Sequence, residues 1–385
     1  MKIKIPKENI LPGMQKAASI IPSKAGAAFL RTVWLQAEQD RLTVMSTDSK
    51  LEFTGSYSAQ CDTPGLVGIQ GRNIHELLRK LPAGDIQFRL DQESETLLLE
   101  QGKRKYKLPT YDSTWFQHFH QFPQEDAVLW TGAELKSLID RIAFCIADDN
   151  TENMHYLNLV PTQGHEGWIE ACGLNGHQFA LTRFKNKELA QRLGSGGILI
   201  AKTYLLELRK WLDNEELYFN MNEKRLFFTD KEQTEHFSLP LNIDTFPEYS
   251  NFLSYFDNEN TVMKIDKEEM TEALNRLRIF NTETQQCSYF IFDNSELVIY
   301  SEGQETGEAT ESLQIDYQGD LEKIAFPTRD LIEILAHFDS QTVFFEFTNA
   351  LGPCRISSPG AEGYFVITMP VDITEEVYYE DENLQ

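Results

Sequence analysis

Six stretches of this chain carry one helical signature at nearly constant spacing, and few architectures satisfy that. In "GRNIHELLRKLP" the apolar residues Ile74, Leu77, Leu78 and Leu81 fall at i, i+3, i+4 and i+7, one face of an α-helix. The stripe returns as Leu135, Leu138, Ile139, Ile142, as Met270, Ala273, Leu274, Leu277, and as Leu331, Ile334, Leu335, Phe338. Two weaker copies, Ile10, Gly13, Met14, Ala17 and Leu205, Leu208, Arg209, Leu212, each lose one apolar position. First stripe residues are separated by 64, 61, 70, 65 and 61 positions. That period exceeds the roughly 20 to 50 residues of solenoid repeats, so each unit holds more than a helix pair.

Between the helices the chain alternates apolar and polar residues, with Asp, Asn, Glu or Gly at the breaks. This pattern predicts antiparallel hairpins with one buried face. "GDIQFRLDQESETLLLEQGKRKYKLPTY", "EELYFNMNEKRLFFTDKEQTEHFSLPLN" and "QTVFFEFTNALGPCRISSPGAEGYFVITMP" superimpose as one family. "FLRTVWLQAEQDRLTVMSTDSKLEFTGSY", "YLNLVPTQGHEGWIEACGLNGHQFALTRF" and "SYFIFDNSELVIYSEGQETGEATESLQIDY" form a second. The fold class is therefore α+β: three tandem units, each made of two helix-plus-antiparallel-sheet halves. Phe-Pro at Phe122-Pro123 and again at Phe246-Pro247 marks unit ends, which predicts domains over 1–127, 128–257 and 258–373 and an acidic tail over 374–385.

Charge is segregated along this pattern. The chain of 385 residues carries a net −25, which on average would repel a polyanion. The six helical windows nevertheless hold 15 Lys and Arg against 12 Asp and Glu, while the other 299 residues carry −28. Arg72, Arg79, Lys80, Lys202, Arg209 and Lys210 lie off the apolar stripes. Solvated helix faces are the ordinary reading of such residues. Their six-fold recurrence favours one common surface that lets a polyanion pass without gripping it.

The three tandem units, the "TDSKLEF" turn, "NGHQFAL" and the late "FVITMP" together resemble the bacterial DNA polymerase III β subunit family, the sliding clamps, over residues 1 to about 373. The resemblance implies a ring-shaped head-to-tail homodimer through which double-stranded DNA threads without sequence preference, with no catalysis and no cofactor. It implies a docking pocket for the replicative DNA polymerase, the clamp loader and other proteins bearing clamp-binding segments. That pocket would be lined by Leu157, Leu174, Gly176, His177, Phe179, Pro247, Phe252, Ile367, Met369, Pro370 and Val371, mostly apolar, as a groove for hydrophobic anchors requires. DNA contacts would come from Lys24, Arg72, His155 and Tyr156, joined by Arg79, Lys80 and Lys202 from the helical surface. The dimer seam would pair Tyr106 and Leu108 with Ile279 and Phe280. Two positions depart from the family: Gln178 stands where Arg is common after "GH", and Asp372 and Ile373 replace the usual Arg and Leu of the ending. The "DDNTENM" loop is also longer and more acidic than the family leads one to expect.

Other chemistry finds little support in the residues. Five scattered cysteines with no C-x-x-C pair fit reduced thiols in a cytoplasm, not a disulfide or zinc framework. No apolar run reaches the ~18 residues of a membrane span, and "MKIKIPKENILPGM" lacks the apolar core of a signal peptide. His118 and His120 have H-x-H spacing but no evident third ligand. "GSGG" at 194–197 lacks the Lys-Ser/Thr of a phosphate loop. The acidic tail reads as solvated chain or, more sharply, as an electrostatic screen over the pocket. Two alternatives remain open: an acidic scaffold that binds only proteins, and a hydrolase using Cys172 and His177. Against the latter, Asn175-Gly176 reads as a two-residue hairpin turn with Cys172 and His177 as cross-strand residues beside it.

Overall fold

The computed structural model describes residues 1–22, 28–91, 93–148, 152–242, 244–257, 260–282, 286–293, 295–303 and 305–372. The six stripes lie on helices Lys7–Ile20, Gly71–Lys80, Gly132–Ile142, Lys202–Trp211, Lys267–Leu277 and Thr328–Ala336, with the last stripe residue of several just past the helix end. Nearly every stripe residue is buried, Leu77 and Arg209 being half-buried. Each such Leu or Ile contributes about 1.5–3 kcal/mol by leaving water. Pro327, Asp266 and Pro6 precede three of these helices, and the Asp266 carboxylate caps its helix by accepting from Glu269 N–H at 3.0 Å.

The break in the first stripe has a steric cause. A Cβ on Gly13 would lie 1.7 Å from the Tyr57 hydroxyl oxygen. Tyr57 passes over this helix to donate to Glu235 Oε1 at 2.7 Å, and Lys16 Nζ donates to Glu235 Oε2 at 2.5 Å. The missing side chain makes room for a half-buried ion pair and phenol.

The chain falls into two compact units, Met1–Ile139 with Asn186–Asp244, and Asp140–Lys185 with Thr245–Gln385. In the first, a 13-stranded sheet runs from Val128–Thr131 at one edge to Gln60–Thr63 at the other. In the second, a sheet runs in the order Tyr156–Pro161, Trp168–Leu174, Gln178–Lys185, Tyr364–Thr368, Cys354–Ser357, Thr342–Phe347, Thr261–Asp266, Asp316–Tyr317. A separate 4-stranded sheet orders Gly307–Gln314, Glu296–Gly303, Cys287–Asp293 and Lys323–Pro327. One pairing recurs in both units. The hairpin strand Glu52–Ser58 pairs with Glu235–Pro240, and Gln178–Lys185 pairs with Tyr364–Thr368. Because the last strand of one repeat joins the hairpin of the repeat before it, compactness does not follow the order of repeats along the chain.

Within the second unit the Phe144 and His337 rings stack at 4.1 Å and 6°. Burial holds His337 below the ordinary histidine value, against the opposing pull of Glu333 and Asp140. Its folded pKa is thus lower than its unfolded one, so its contribution to stability is present above about pH 6.5 and is lost as pH falls through the folded value. Thermal unfolding from pH 7.5 to 5 should show the wild type losing stability relative to a His337→Phe variant, the difference opening only below about pH 6.5.

Candidate functional site

The hairpin of the central region differs from its sequence reading by one residue. Trp168–Leu174 pairs with Gln178–Lys185 so that Leu174 faces Phe179 and Cys172 faces Leu181. Asn175 N–H donates to the Gln178 carbonyl at 3.1 Å, which makes Gly176 and His177 the central pair of the turn, not Asn175 and Gly176. Gly176 has φ +91°, and glycine at the first central position is what a type II′ hairpin demands. The Asn175 carboxamide oxygen accepts from His177 N–H at 3.0 Å and Gln178 N–H at 2.8 Å, closing the turn from inside. Cys172 and His177 are therefore not a cross-strand pair: one faces Leu181 and the other sits exposed at the tip.

Cys172 belongs to a packed floor. With Leu174, Phe179 and Leu181 it shares a face with Phe365 and Ile367 of the neighbouring strand, and Phe256 completes the cluster. Burial pushes its thiol up to about 12, where almost no thiolate exists near neutral pH. Met154, Phe246, Tyr249 and Leu253 pack over this floor. The Tyr249 ring stacks on Phe179 at 5.3 Å, and its hydroxyl donates to Glu170 Oε2 at 2.8 Å. Arg183 Nε donates to the other oxygen of the same carboxylate at 2.8 Å. The connector that begins at Phe246-Pro247 and includes the short helix Ser250–Ser254 is thus a lid on the floor.

The expected lining divides between floor, rim and core. Leu174, Phe179 and Ile367 are buried in the floor; Pro247, Pro370 and Val371 are half-buried; Gly176, His177, Phe252 and Met369 are exposed, the last two at 40% each. Leu157 is a correction. The register Asn158 to Cys172 and Leu159 to Ala171 puts Leu157 on the opposite face of the sheet, beside Gly173, so it is core and not lining. The same register puts Tyr156 on the floor's face. Tyr249, Leu253 and Phe246 are the residues the sequence reading missed, because a connector has no periodicity to expose them.

Strand register also gathers the apolar rim. Thr368 faces both Gln178 and Cys354, so the Gly176-His177 turn, the loop before Cys354 and the segment from Met369 leave the same end of the sheet. Met369 N–H donates to the His177 carbonyl at 3.0 Å, and Val371 N–H donates to the Ala325 carbonyl at 2.8 Å. Leu351, in that loop, is 60% exposed. Gln178, which stands in place of a family arginine, is buried, and its Oε1 accepts from Asn175 Nδ2 at 3.3 Å. It braces the turn and presents no charge to the groove.

The residues expected at DNA are placed less uniformly. Arg72, Arg79 and Lys80 are exposed on one helix, Arg79 pairing with Glu76 at 2.8 Å. Lys202 is half-buried at the start of another. His155 is half-buried against the Tyr156 ring at 3.7 Å. Tyr156 is 2% exposed, so its ring offers no surface to a duplex. Lys24, residues 149–151 of the acidic loop, Ile373 and the tail over 374–385 lie outside the described residues. His120 Nδ1 lies 2.9 Å from Glu52 Oε1, and among the described residues no group of three His, Cys, Asp or Glu is placed to hold a metal ion. Among them, no helix is long and apolar enough to cross a membrane.

Known proteins share the fold over nearly the whole chain. The family described as DNA polymerase III beta subunit, N-terminal domain, matches residues 1–120, and its C-terminal domain matches residues 257–372. The beta sliding clamp of Caulobacter vibrioides is 24% identical over 383 residues, covering 97% of this chain and 100% of its own length. That of Escherichia coli is 22% identical over 379 residues, covering 96% and 100%. Among solved structures, the DNA polymerase sliding clamp of Bacillus subtilis superimposes with a TM-score of 0.88 at 20% identity, over 97% of this chain and 100% of that one. The Caulobacter crescentus clamp gives 0.88 at 21%, with the same coverage.

The burial of Cys172 has a direct chemical consequence. Iodoacetamide at pH 7 should leave Cys172 unmodified in the native protein and modify it only after denaturation, as read by peptide mass spectrometry; rapid native labelling would revive a nucleophilic role.

Proposed function

Because the chain belongs to the DNA polymerase III beta subunit family, the sliding clamps, we propose that it works as a DNA sliding clamp. It closes as a head-to-tail homodimeric ring around duplex DNA and holds the replicative polymerase and other partners to the template, with no chemistry of its own and in the cytoplasm. Its three domains span 1–127, 128–257 and 258–373.

The observation that carries this reading is a pair of open strand edges with opposite charge. Arg104–Tyr111 pairs with Thr96–Gln101 on one side but meets Gly65–Gln70 only through Thr110 and Tyr111. Its free edge carries Arg104, Lys105 and Lys107, with Lys103 just before. Gly307–Gln314 is the outer strand of the 4-stranded sheet and carries Glu308 and Glu311, with Glu302 and Glu305 beside it. Unpaired edges are templates for another chain, and opposite charges steer and register the encounter. Tyr106 and Leu108 are half-buried on the basic edge. Ile279 is 72% exposed beside the acidic one, where Thr306 Oγ1 donates to the Phe280 carbonyl at 2.6 Å. An isoleucine so exposed is suited to burial by a second protomer.

Threading DNA needs weak, exchangeable phosphate contacts, since each firm contact would add drag as well as affinity. Exposed Arg72, Arg79 and Lys80, with Lys202 and Lys24, supply a sparse set of cations for that purpose, and His155 adds a polar contact. The groove under Tyr249 receives short apolar segments through its exposed Phe252, Met369 and Leu351 rim, while Gln178 leaves it without the charge that would select a peptide carboxylate.

Loading by a clamp loader and ATP onto a nicked circle tests the ring. The protein should stay on the circle in high salt and leave on linearisation; immediate release from the circle would sink the clamp reading and favour an acidic scaffold. Arg104→Glu with Lys107→Glu should abolish retention, and Glu305→Lys with Glu308→Lys in the same chain should restore it. The groove is tested separately. Phe252→Asp with Met369→Asp should weaken binding of a polymerase-derived apolar peptide by about 2 kcal/mol or more while leaving the protein dimeric in sedimentation. These exposed residues are better probes than Phe179, whose replacement would also unseat Tyr249.

A further inference from the structure

The internal repeat builds the backbone of the docking groove a second time, in the first compact unit, with a different floor. Asp48 Oδ1 accepts from Lys50 N–H at 2.8 Å and Leu51 N–H at 2.7 Å, the same turn closure that Asn175 makes. The strand that follows pairs with Glu235–Pro240, Glu52 opposite Ser238 and Thr54 opposite His236. These pairs correspond to Phe179 with Ile367 and Leu181 with Phe365 in the other unit. The connector here also contains a Phe-Pro pair, nearer its end, and Phe122 stacks on His236 at 6.2 Å where Phe246 belongs to the other lid. The equivalents of Phe179, Leu181, Phe365 and Ile367 have all become polar, while Met45, opposite Thr54, holds the place of Cys172.

A polar floor does not pull its lid down. A cavity of about 500 Å³ lies between sheet and connector, lined on the sheet side by Gln36, Thr54, Ser56 and His236 and on the connector side by Phe119 and Phe122. The connector is held instead at its edges: His120 N–H donates to Glu52 Oε2 at 3.0 Å, and Gln124 Nε2 donates to Gln233 Oε1 at 3.1 Å. His236 Nδ1 is buried and makes no hydrogen bond, and burial lowers its pKa, so it stays a neutral ring with an unmet bond. Around the slot the charge is acidic. Gln36 Nε2 donates to Glu38, and Glu125 and Glu232, the neighbours of lining Gln124 and Gln233, are exposed.

We propose that this cavity is a second peptide-docking site, taking an extended segment whose core is uncharged and hydrogen-bonding, with an aromatic side chain against the Phe wall and basic residues at its flanks. The floor offers hydroxyls, amides and an imidazole to backbone and to Gln or Asn side chains, where the floor of the other groove is mostly hydrocarbon. The acidic rim and a net −25 select against a polyanion and for basic flanks. The two grooves would then sort partners by chemistry, one taking apolar anchors and the other polar ones. A docking role for this cavity by equivalence rests on the docking role of the apolar groove; the cavity and its lining stand without it.

The probe is an acetylated, amidated Lys-Gln-Tyr-Asn-Gln-Lys peptide titrated calorimetrically into the full-length protein. Saturable binding is expected, weakened at least about tenfold by Thr54→Trp, which fills the slot, and unchanged within about twofold by Met369→Asp, which alters the other groove. Ser56→Leu fills the same space with a smaller side chain and is measured in parallel, with melting temperatures for both variants, in case the tryptophan disturbs the fold. No saturable binding up to about 1 mM overturns the proposal. So does binding indifferent to both filling variants, binding lost in Met369→Asp, or tighter binding of adenosine or a short oligonucleotide at the slot. Failure here leaves ring retention and apolar-peptide binding untouched, so the two readings fail separately.

Discussion

The pairing of a hairpin strand with the closing strand of the next repeat is the constraint on which the structure rests. It occurs as Phe53 opposite Phe237 in one unit and Phe179 opposite Ile367 in the other. Strand side chains alternate with period 2, so a slip of one residue would turn every floor residue to the helices and every core residue to the groove. The turn before each hairpin strand is therefore held by a side-chain acceptor, Asp48 or Asn175, that bonds two successive N–H groups. Fixing the turn fixes the register, and the register fixes which residues meet the stripe helices.

Charge is arranged over that frame by what each surface must touch. Helix faces opposite the stripes keep their cations exposed, as at Arg72, Arg79 and Lys80. Strand edges carry one sign each, basic at Arg104–Lys107 and acidic at Glu302–Glu311. A lysine that would otherwise add to the exposed charge of a helix can be engaged within the fold: Lys16 is committed to Glu235 and lies over the Trp211 ring at 5.6 Å. Counting basic residues on a helix thus overstates the cations available to a phosphate.

The stripes and hairpins were legible because they are periodic, and periodicity is what burial imposes on sequence. Even the defects were informative: Gly13 breaks the stripe because Tyr57 occupies the space its side chain would fill. What failed was local or long-range. Asn-Gly suggested the central pair of the turn, yet the Asn175 side chain moved the bend on by one residue. The family resemblance implies a DNA role for Tyr156 and a groove role for adjacent Leu157, yet strand alternation puts them on opposite faces, Tyr156 toward the floor and Leu157 toward the core. The lid residues Tyr249 and Leu253 lie in a connector whose only mark is Phe-Pro, and nothing in a single strand of text says what it covers. The compact units were equally hidden, because they depend on pairings between segments more than 170 positions apart, such as Glu52 with Ser238.

The two floors show how one backbone can hold a lid in two ways. Burying the Phe179, Leu181, Phe365 and Ile367 side chains is worth about 1.5–3 kcal/mol each, so an apolar connector laid over them gains by collapsing onto the floor. Glu52, Thr54, His236 and Ser238 offer no such gain. A connector there is anchored by Phe122 on His236 and Phe116 on Trp34, and elsewhere by hydrogen bonds, each worth about 0.5–1.5 kcal/mol and demanding particular geometry. Such bonds pin a chain at points and leave space between them, which is what the cavity beneath Phe119 is. The apolar groove can admit a partner only by exchanging one hydrocarbon contact for another, Tyr249 or Phe252 for an incoming anchor. The polar slot can admit one without displacing its lid. Two sites of equal topology would therefore differ in kinetics as well as chemistry, the apolar one gated by its own cover and the polar one standing open.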